Sequence, residues 1–258
     1  MISSVEPTLA FPSAAELTNG PTVPVTVDTG MIDVWSCSLE GSEAVRQRCE
    51  SWLSEEERAR ASRFVRAEDQ TRFTLAHGGL RVILARYIGV KPAELRFQVG
   101  SAGKPTVLQP HSGPHVLHFN LSHSHGRMVI AVAKGREIGI DLEQVCDNRE
   151  PLKLAERFYA PAESRWIKSR PASDHALHFY RLWVAKEAVL KAQGTGIASL
   201  QHCEILASSS ASRASVRSIG EMQQGWSIQW LNCGPGWQGA VSAYGDDWSV
   251  RVLNAVSV

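Results

Sequence analysis

The chain has 258 residues, 43% of them hydrophobic, and a formal net charge of +1 at pH 7. A chain of this length can bury one large core or two small ones. The balanced charge argues against nucleic acid as a partner, because duplex binding usually needs a strongly basic domain. No run approaches 18 apolar residues, so we expect no membrane span and no membrane partner.

The chain has five cysteines, and their spacing bears on its compartment. They are odd in number, scattered and without a C-x-x-C pair, which argues against a disulfide framework or a zinc site. The N-terminus also lacks the basic region of a secretory signal. We therefore expect reduced thiols in a cytoplasmic monomer.

The elements divide into a leader and two subdomains. Residues 1–30 are rich in Pro, Ser, Thr and Val without sustained periodicity, which predicts a loose N-terminal leader. Residues 31–145 show a strand, helices up to Gly89 and further strands, and form the predicted N-terminal subdomain. Residues 146–258 show helices over 151–193 followed by several strands, and form the predicted C-terminal subdomain. The mixture predicts an α+β fold with mainly antiparallel sheets.

Two helices in the first subdomain carry a local excess of arginine. Ser54 and Glu57 have the spacing of a capping box and predict a helix start, and a second helix follows over 69–89. Such a cluster fits a small phosphorylated ligand, or else a solvated helix pair balanced by neighbouring acidic residues. The arginines are Arg58, Arg60, Arg63, Arg66, Arg72 and Arg81.

A polar strand end lies further along the chain, at 119–126. Phe and Leu alternate there with Asn, Ser and His, so that Ser122 and His123 could hold phosphate oxygens or equally cap a turn. His123 and His125 lack a third nitrogen or sulfur ligand nearby, which argues against zinc. No G-x-S-x-G elbow supports a serine hydrolase.

Two carboxylates mark the next pair of strands. The apolar run 128–133, a turn at Gly135 and the alternating run 137–143 predict a β-hairpin whose second strand is half buried. Asp141 and Glu143 share one face of that strand, roughly 6.5 to 7 Å apart. Paired carboxylates repel unless a cation neutralises them, and oxygen ligands favour Mg²⁺ before Ca²⁺. The alternative is the polar outer face of an edge strand.

A helix over 181–194 is apolar at almost every position except Lys186, Glu187 and Lys191. A helix that is apolar nearly all round is expected to be buried. Buried charges are costly, so they need a counter-charge, a metal or an anionic ligand. The alternative is an ordinary i, i+4 ion pair between Glu187 and Lys191 on a solvated face.

Taken in order, these motifs resemble those of the Sfp-type 4′-phosphopantetheinyl transferases. The resemblance spans about residues 53–200 and implies two similar α+β subdomains related by a pseudo-twofold, with the active site in the cleft between them. The matching segments are Gly103-Lys104-Pro105, 119–124 (F-N-L-S-H-S), 139–143 (G-I-D-L-E), 157–159 (R-F-Y) with Glu163, and 183–191 (W-V-A-K-E-A-V-L-K).

The resemblance implies an enzyme that transfers the phosphopantetheine arm of coenzyme A to a serine of an apo acyl or peptidyl carrier protein. The reaction would depend on Mg²⁺, with Mn²⁺ a possible substitute, and would release adenosine 3′,5′-bisphosphate. Asp141, Glu143 and Glu187 would hold the metal. The base would be either Glu187 or a hydroxide held by the metal. Two other classes stay open: another Mg²⁺-dependent nucleotide phosphohydrolase or phosphotransferase, and a non-catalytic binding module for coenzyme A or carrier protein.

The resemblance also implies contacts to coenzyme A. Asp141, Glu187 and Lys191 would act in catalysis, while Lys191 and Lys186 would neutralise the pyrophosphate. Ser122 and His123 would meet phosphate groups, with His123 at the 3′-phosphate. The adenine would be lined by Gly103, Lys104 and Pro105. Some relatives grip the 3′-phosphate with lysines where this chain has Glu57 and Arg60. Either Arg60 and a neighbour such as Arg58 or Arg72 would take over that contact, or the contact would be weaker.

Overall fold

The computed structural model describes residues 5–19, 24–100, 103–109, 116–146, 150–206, 211–218 and 224–253. The α-helices are α1 (Ala14–Asn19), α2 (Glu43–Trp52), α3 (Glu55–Ala61), α4 (Ala67–Ile88), α5 (Pro151–Phe158), α6 (Pro161–Lys168) and α7 (His175–Gln193). Short 3₁₀ turns lie at Pro92–Glu94, Ala172–Asp174 and Ile197–His202. The strands are β1 (Met31–Ser38), β2 (Phe97–Val99), β3 (Pro105–Val107), β4 (Leu117–Ser124), β5 (Arg127–Lys134), β6 (Ile138–Gln144), β7 (Cys203–Leu206), β8 (Arg213–Ser218), β9 (Trp226–Leu231), β10 (Trp237–Tyr244) and β11 (Ser249–Leu253).

The strands form two main sheets. The first has the order β11-β1-β5-β4, and the second has the order β6-β10-β9-β8-β7. All neighbours are antiparallel except β11, which runs parallel to β1. Strands β2 and β3 form a separate small ribbon. The predicted α+β class with mainly antiparallel sheets is confirmed.

Three apolar cores hold these layers together. One lies between α4 and the first sheet and includes Trp35 and Ile83. A second lies between α7 and the second sheet and includes Val189 and Ile228. The third contains residues of both sheets, such as Val129 and Ile140, so the two sheets are packed against each other. Each sheet therefore has a helix layer on one face and the other sheet on the opposite face.

The division of the chain at 145/146 differs from the way the sheets are built. Strand β6 lies in the second sheet, where Asp141 is opposite Ala240 of β10. Strand β5 pairs with β1 and β4 instead, so the predicted hairpin of β5 with β6 is wrong. Strand β11, from the end of the chain, pairs with β1 in the first sheet. Each half thus contributes one strand to the sheet of the other half.

The described part of the predicted leader is packed against the body of the protein. The Leu9 amide donates to the carbonyl of Asn232 at 2.9 Å, and the Ser38 amide donates to that of Pro12 at 2.7 Å. Leu9 and Leu17 are buried. Irregular backbone can hold core residues without showing a period, which is why composition alone predicts a loose segment here. Residues 1–4 and 20–23 lie outside the described part of the chain.

Two simpler expectations concern helices and thiols. Within the described residues, no helix combines the length and apolarity needed to cross a membrane. The five cysteines are free thiols, as their spacing predicts, and four of them are buried.

Candidate active site

The site is built where α7 lies directly on β6. A Cβ atom at Gly139 would be 2.0 Å from the carbonyl oxygen of Ala188 and 2.5 Å from the amide nitrogen of Ala192. Only a residue without a side chain permits this approach. The close contact sets Glu187 and Lys191 of the helix beside Asp141 of the strand.

Asp141 is buried and only half satisfied. Its Oδ1 atom accepts from Lys191 Nζ at 2.6 Å and from Ser122 Oγ at 2.7 Å. Its Oδ2 atom is buried and finds no hydrogen-bond partner in the described structure. A buried carboxylate oxygen without a partner is unfavourable, so this atom is suited to receive a cation.

Glu187 lies close enough to Asp141 and Glu143 of β6 for their charges to affect its pKa. Burial raises its pKa to about 7, and the charges of Asp141 and Glu143 contribute to the rise while Lys191 opposes it. Its Oε1 atom is also buried and unpartnered by any described residue. The negative charges of Asp141 and Glu143 next to Glu187 favour either a proton on Glu187 or a metal ion between the carboxylates.

Strands β4 and β6 belong to different sheets and are joined by hydrogen bonds between side chains of β4 and the backbone of β6. Asn120 Oδ1 accepts from the Ile140 amide at 2.9 Å, and Ser122 Oγ accepts from the Leu142 amide at 3.3 Å. Ser124 Oγ accepts from the amide of Gln144, the last residue of β6, at 3.4 Å. The polar face of β4 therefore supports the strand that carries the carboxylates.

The donor set fits a hard divalent cation. Among the described residues, no group of three His, Cys, Asp or Glu side chains has the arrangement of a metal site. The two unpartnered oxygens of Asp141 and Glu187 nevertheless supply carboxylate donors of the kind that Mg²⁺ prefers. Lys191 provides the positive charge next to Asp141 in this structure, with the two charged atoms 2.6 Å apart.

A cationic region adjoins the carboxylates around His123. The side chain of His123 is accessible to solvent. Desolvation of its ring is nevertheless the largest cause of a lowered pKa, and electrostatic interactions with the neighbouring His77 and Lys191 lower it further. Arg60 and Arg72 act in the same direction. The structure thus brings both predicted arginines into the electrostatic environment of His123.

Both halves of the chain match known families. Residues 40–136 match the family model described as "4'-phosphopantetheinyl transferase, N-terminal", and residues 137–242 match "4'-phosphopantetheinyl transferase superfamily". The 4'-phosphopantetheinyl transferase HetI of Nostoc sp. is 41% identical over 174 residues, which are 67% of this chain and 73% of that protein. The chain belongs to the 4′-phosphopantetheinyl transferase superfamily. The predicted family and enzyme class are confirmed.

A second relative of this transferase is the 4'-phosphopantetheinyl transferase Sfp of Bacillus subtilis. It is 31% identical over 156 residues, which are 60% of this chain and 66% of that protein. The two matched regions meet between residues 136 and 137, in the connection from β5 to β6. The chain passes from the first sheet to the second at that point.

Lys186 of this transferase does not lie with the other charged residues of α7. Its Nζ atom is fully buried, 2.7 Å from Glu163 Oε2, and donates to the carbonyl oxygens of Leu200 and Cys203. Positions 186 and 191 are about 140° apart around a helix, so their side chains leave on different sides. The structure therefore corrects the assignment of Lys186 to the pyrophosphate: it is an internal ion-pair partner.

Ser122 is also placed differently from its prediction. Besides the bond to Asp141, its hydroxyl accepts from Lys191 Nζ at 3.0 Å. The side chain is buried and all its hydrogen-bonding capacity is used inside the protein. The structure assigns Ser122 to the support of Asp141 and Lys191, which replaces a direct phosphate contact.

Lys104 fixes the Gly103-Lys104-Pro105 turn to the end of α7. Its Nζ atom lies 2.6 Å from Glu137 and donates to the carbonyl of Ala192 at 2.9 Å. Lys104 also lines a cavity of about 800 Å³ together with Arg136 and Tyr244. Gly103 has a positive φ of 81°, and Pro105 begins β3. The adenine contact expected of this turn remains a prediction.

The sequence analysis missed the role of His77. Glu57 closes the predicted capping box with Ser54, and it also lies 3.1 Å from His77 Nδ1 and 2.7 Å from Arg81. His77 stacks on Phe73, with ring centroids 4.0 Å apart. The signal was present, because His77 and Arg81 are four residues apart on one helix face and need an acceptor. Glu57 therefore holds His77 and Arg81 in place inside the protein, next to the region around His123.

Proposed function

We propose that this transferase moves the 4′-phosphopantetheine arm of coenzyme A to a serine of an apo acyl or peptidyl carrier protein. The observation that carries the proposal is the pair of unpartnered oxygens on Asp141 and Glu187, buried next to Lys191. Such a set can neutralise a pyrophosphate with the help of a divalent cation. The family membership gives the reaction class, and HetI and Sfp are both named as transferases of this arm.

Asp141, Glu143 and Glu187 are the residues that would hold Mg²⁺, or Mn²⁺ in its place. When bound, the ion would neutralise negative charge on the pyrophosphate oxygens. Lys191 would add a second positive charge on the same side, since its ammonium already lies among these groups. Lys186 has no part in this proposal.

In the transfer step, the carrier serine oxygen bonds to the β-phosphorus and the bond from that phosphorus to the bridging oxygen breaks. The bridging oxygen leaves with adenosine 3′,5′-bisphosphate. We assign the serine proton to Glu187, whose carboxylate would be ionised with the metal bound and could then act as the general base. Lys191 lies where it can stabilise the charge that develops on the leaving oxygen.

The remaining contacts concern the nucleotide. Arg60 and Arg72, whose charges act on the ring of His123, would hold the 3′-phosphate together with that imidazole. Lys104, with Gly103 and Pro105, would line the adenine. These two regions lie on the N-terminal half, so coenzyme A would extend from them toward the carboxylates.

To test the proposal, the protein is incubated with coenzyme A, Mg²⁺ and a panel of apo carrier proteins from fatty-acid, polyketide and peptide synthesis. Mass spectrometry should find the mass of the arm on the serine of at least one carrier. Asp141→Ala and Glu187→Ala should lose transfer while remaining folded by circular dichroism, and Glu43→Ala, an exposed acidic control on α2, should retain it.

Other outcomes would contradict the proposal. Cleavage of coenzyme A without any carrier would indicate a phosphohydrolase. Tight binding of coenzyme A without transfer to any carrier would indicate a binding module. Turnover of Asp141→Ala equal to that of the unchanged protein would refute the metal assignment.

A further inference from the structure

We propose that Ser124 and His125 are positioning residues for Glu143, held together as a hydrogen-bond chain from the imidazole through the serine hydroxyl to the carboxylate. The inference rests on the proposed function, because it takes Glu143 as a ligand of Mg²⁺. It concerns how this chain orients that ligand, and it assigns both residues a role in metal affinity.

The contacts of Ser124 define the direction of each hydrogen bond. Its Oγ atom lies 2.7 Å from Glu143 Oε2 and accepts from the Gln144 amide at 3.4 Å. An ionised carboxylate only accepts, so the single hydroxyl proton is donated to Glu143. His125 Nδ1 lies 3.2 Å from the same hydroxyl, and it must therefore be the donor in that contact. The chain of donors runs from His125 to Ser124 to Glu143.

The same arrangement occurs two residues earlier on both strands. Ser122 donates to Asp141 at 2.7 Å, accepts from a backbone amide of β6 and accepts from Lys191 Nζ at 3.0 Å. Residues two apart on a strand share a face, so the pairs Ser122–Asp141 and Ser124–Glu143 lie side by side. His125 thus donates to Ser124 as Lys191 donates to Ser122, while Lys191 also bonds its carboxylate, Asp141, directly.

The backbone of His125 indicates that its side chain is used. Among the described residues it is the one non-glycine residue with a positive φ, at 49°. That conformation is unfavourable for a residue with a Cβ atom and would suit glycine. The imidazole is seated edge-on to Trp237, with ring centroids 6.4 Å apart, and Trp237 is paired with Gln144 across the two strands. The ring is therefore held over Ser124 despite the backbone cost.

The test measures Mn²⁺ binding to the protein without coenzyme A, by electron paramagnetic resonance, and the Mg²⁺ dependence of transfer. Ser124→Ala should weaken Mn²⁺ binding by about tenfold or more and raise the KM for Mg²⁺, since groups that orient a metal ligand typically contribute 10- to 100-fold. Ser124→Thr keeps the hydroxyl and should restore binding. Ser169→Ala changes an exposed serine at the end of α6, far from β4 in the sequence, and should match the unchanged protein.

His125→Gly separates metal binding from stability. It should weaken Mn²⁺ binding several-fold, yet raise the melting temperature of the metal-free protein because glycine relieves the positive φ. A role in folding alone would move both quantities in the same direction. This variant also keeps the proposal testable if Ser124→Ala does not fold.

Two results overturn the inference in distinguishable ways. If the unchanged protein binds Mn²⁺ and transfers the arm, while Ser124→Ala and His125→Gly keep its Mn²⁺ affinity and Mg²⁺ dependence, the positioning role is wrong and the proposed function stands. If the unchanged protein does not transfer the arm, and if it shows no Mn²⁺ binding that Asp141→Ala abolishes, the positioning role and the proposed function are both wrong.

Discussion

The metal-free enzyme should become more stable when Glu187 is replaced by an uncharged residue. Glu187 is buried on α7 and its pKa is raised from 4.5 to about 7, chiefly by burial and then by the charge of Asp141. Glu187→Gln keeps the shape of the side chain but removes the ionisation. Without a metal, the variant should therefore gain stability at any pH above about 4.5, where Glu187 ionises readily in the unfolded chain but only at a cost in the folded one.

The magnitude follows from the difference in pKa between the folded and unfolded states. Below pH 4.5 the carboxyl is protonated in both states and contributes no penalty. Between pH 4.5 and 7 the folded state binds more protons than the unfolded state, so stability falls as pH rises. Above pH 7 the penalty is complete. The shift corresponds to about 3 kcal/mol at pH 8 and about 1 kcal/mol at pH 5.

The assay is urea unfolding in EDTA at pH 5 and pH 8, followed by tryptophan fluorescence. Glu187→Gln should exceed the unchanged protein by about 3 kcal/mol at pH 8 and by about 1 kcal/mol at pH 5. Glu55→Gln, an exposed control on α3, should show no such difference. Saturating Mg²⁺ should favour the unchanged protein, because the variant has lost a ligand. A stability difference that is the same at both pH values would refute the reasoning.

Four further substitutions, one of them with a control variant, test the site and the packing of the fold. Lys186→Met leaves Glu163 buried without its counter-charge and should lower the free energy of unfolding, measured in urea, by about 3 to 5 kcal/mol. Lys191→Met should instead lower turnover in the carrier assay by about 10²- to 10³-fold. Gly139→Ala drives a Cβ into the α7 backbone and should cost about 3 kcal/mol or more, whereas Gly126→Ala, which meets nothing within 4 Å, should change little. Leu9→Ala should cost about 2 to 4 kcal/mol by urea unfolding if the N-terminal segment is part of the core, and nothing if it is loose.

The strand that carries the carboxylates shows what alternation can and cannot predict. The run 137–143 predicted a strand with Ile140 on one face and Asp141 on the other, and the structure has Ile140 in the core between the sheets. Alternation fixes the face of a strand but not its neighbour. The neighbour is β10, which lies about a hundred residues away in sequence, so the short Gly135 turn was misread as a hairpin.

The charged helix shows a second limit. Helix α7 is apolar on nearly every side, so the hydrophobic period does not reveal which face meets which partner. The sequence predicts a counter-ion for both Lys186 and Lys191, and each lysine has one in the structure. Glu163 comes from α6 and Asp141 from β6, and only the packing of α7 against both shows that the two lysines serve different partners.

The contrast between these two ion pairs separates the structural pair from the functional one. Around Lys186 every group is satisfied: Glu163 accepts from the ammonium and from the amides of Ala160 and Ile205, in a fully buried setting. Around Lys191, an oxygen of Asp141 and an oxygen of Glu187 stay buried without a partner among the described residues. A protein tolerates such unsatisfied atoms when a ligand completes them, because each otherwise costs free energy in the folded state. The incomplete pair is therefore the one that a cation and a pyrophosphate would complete, and the complete pair is the one that keeps α7 in place.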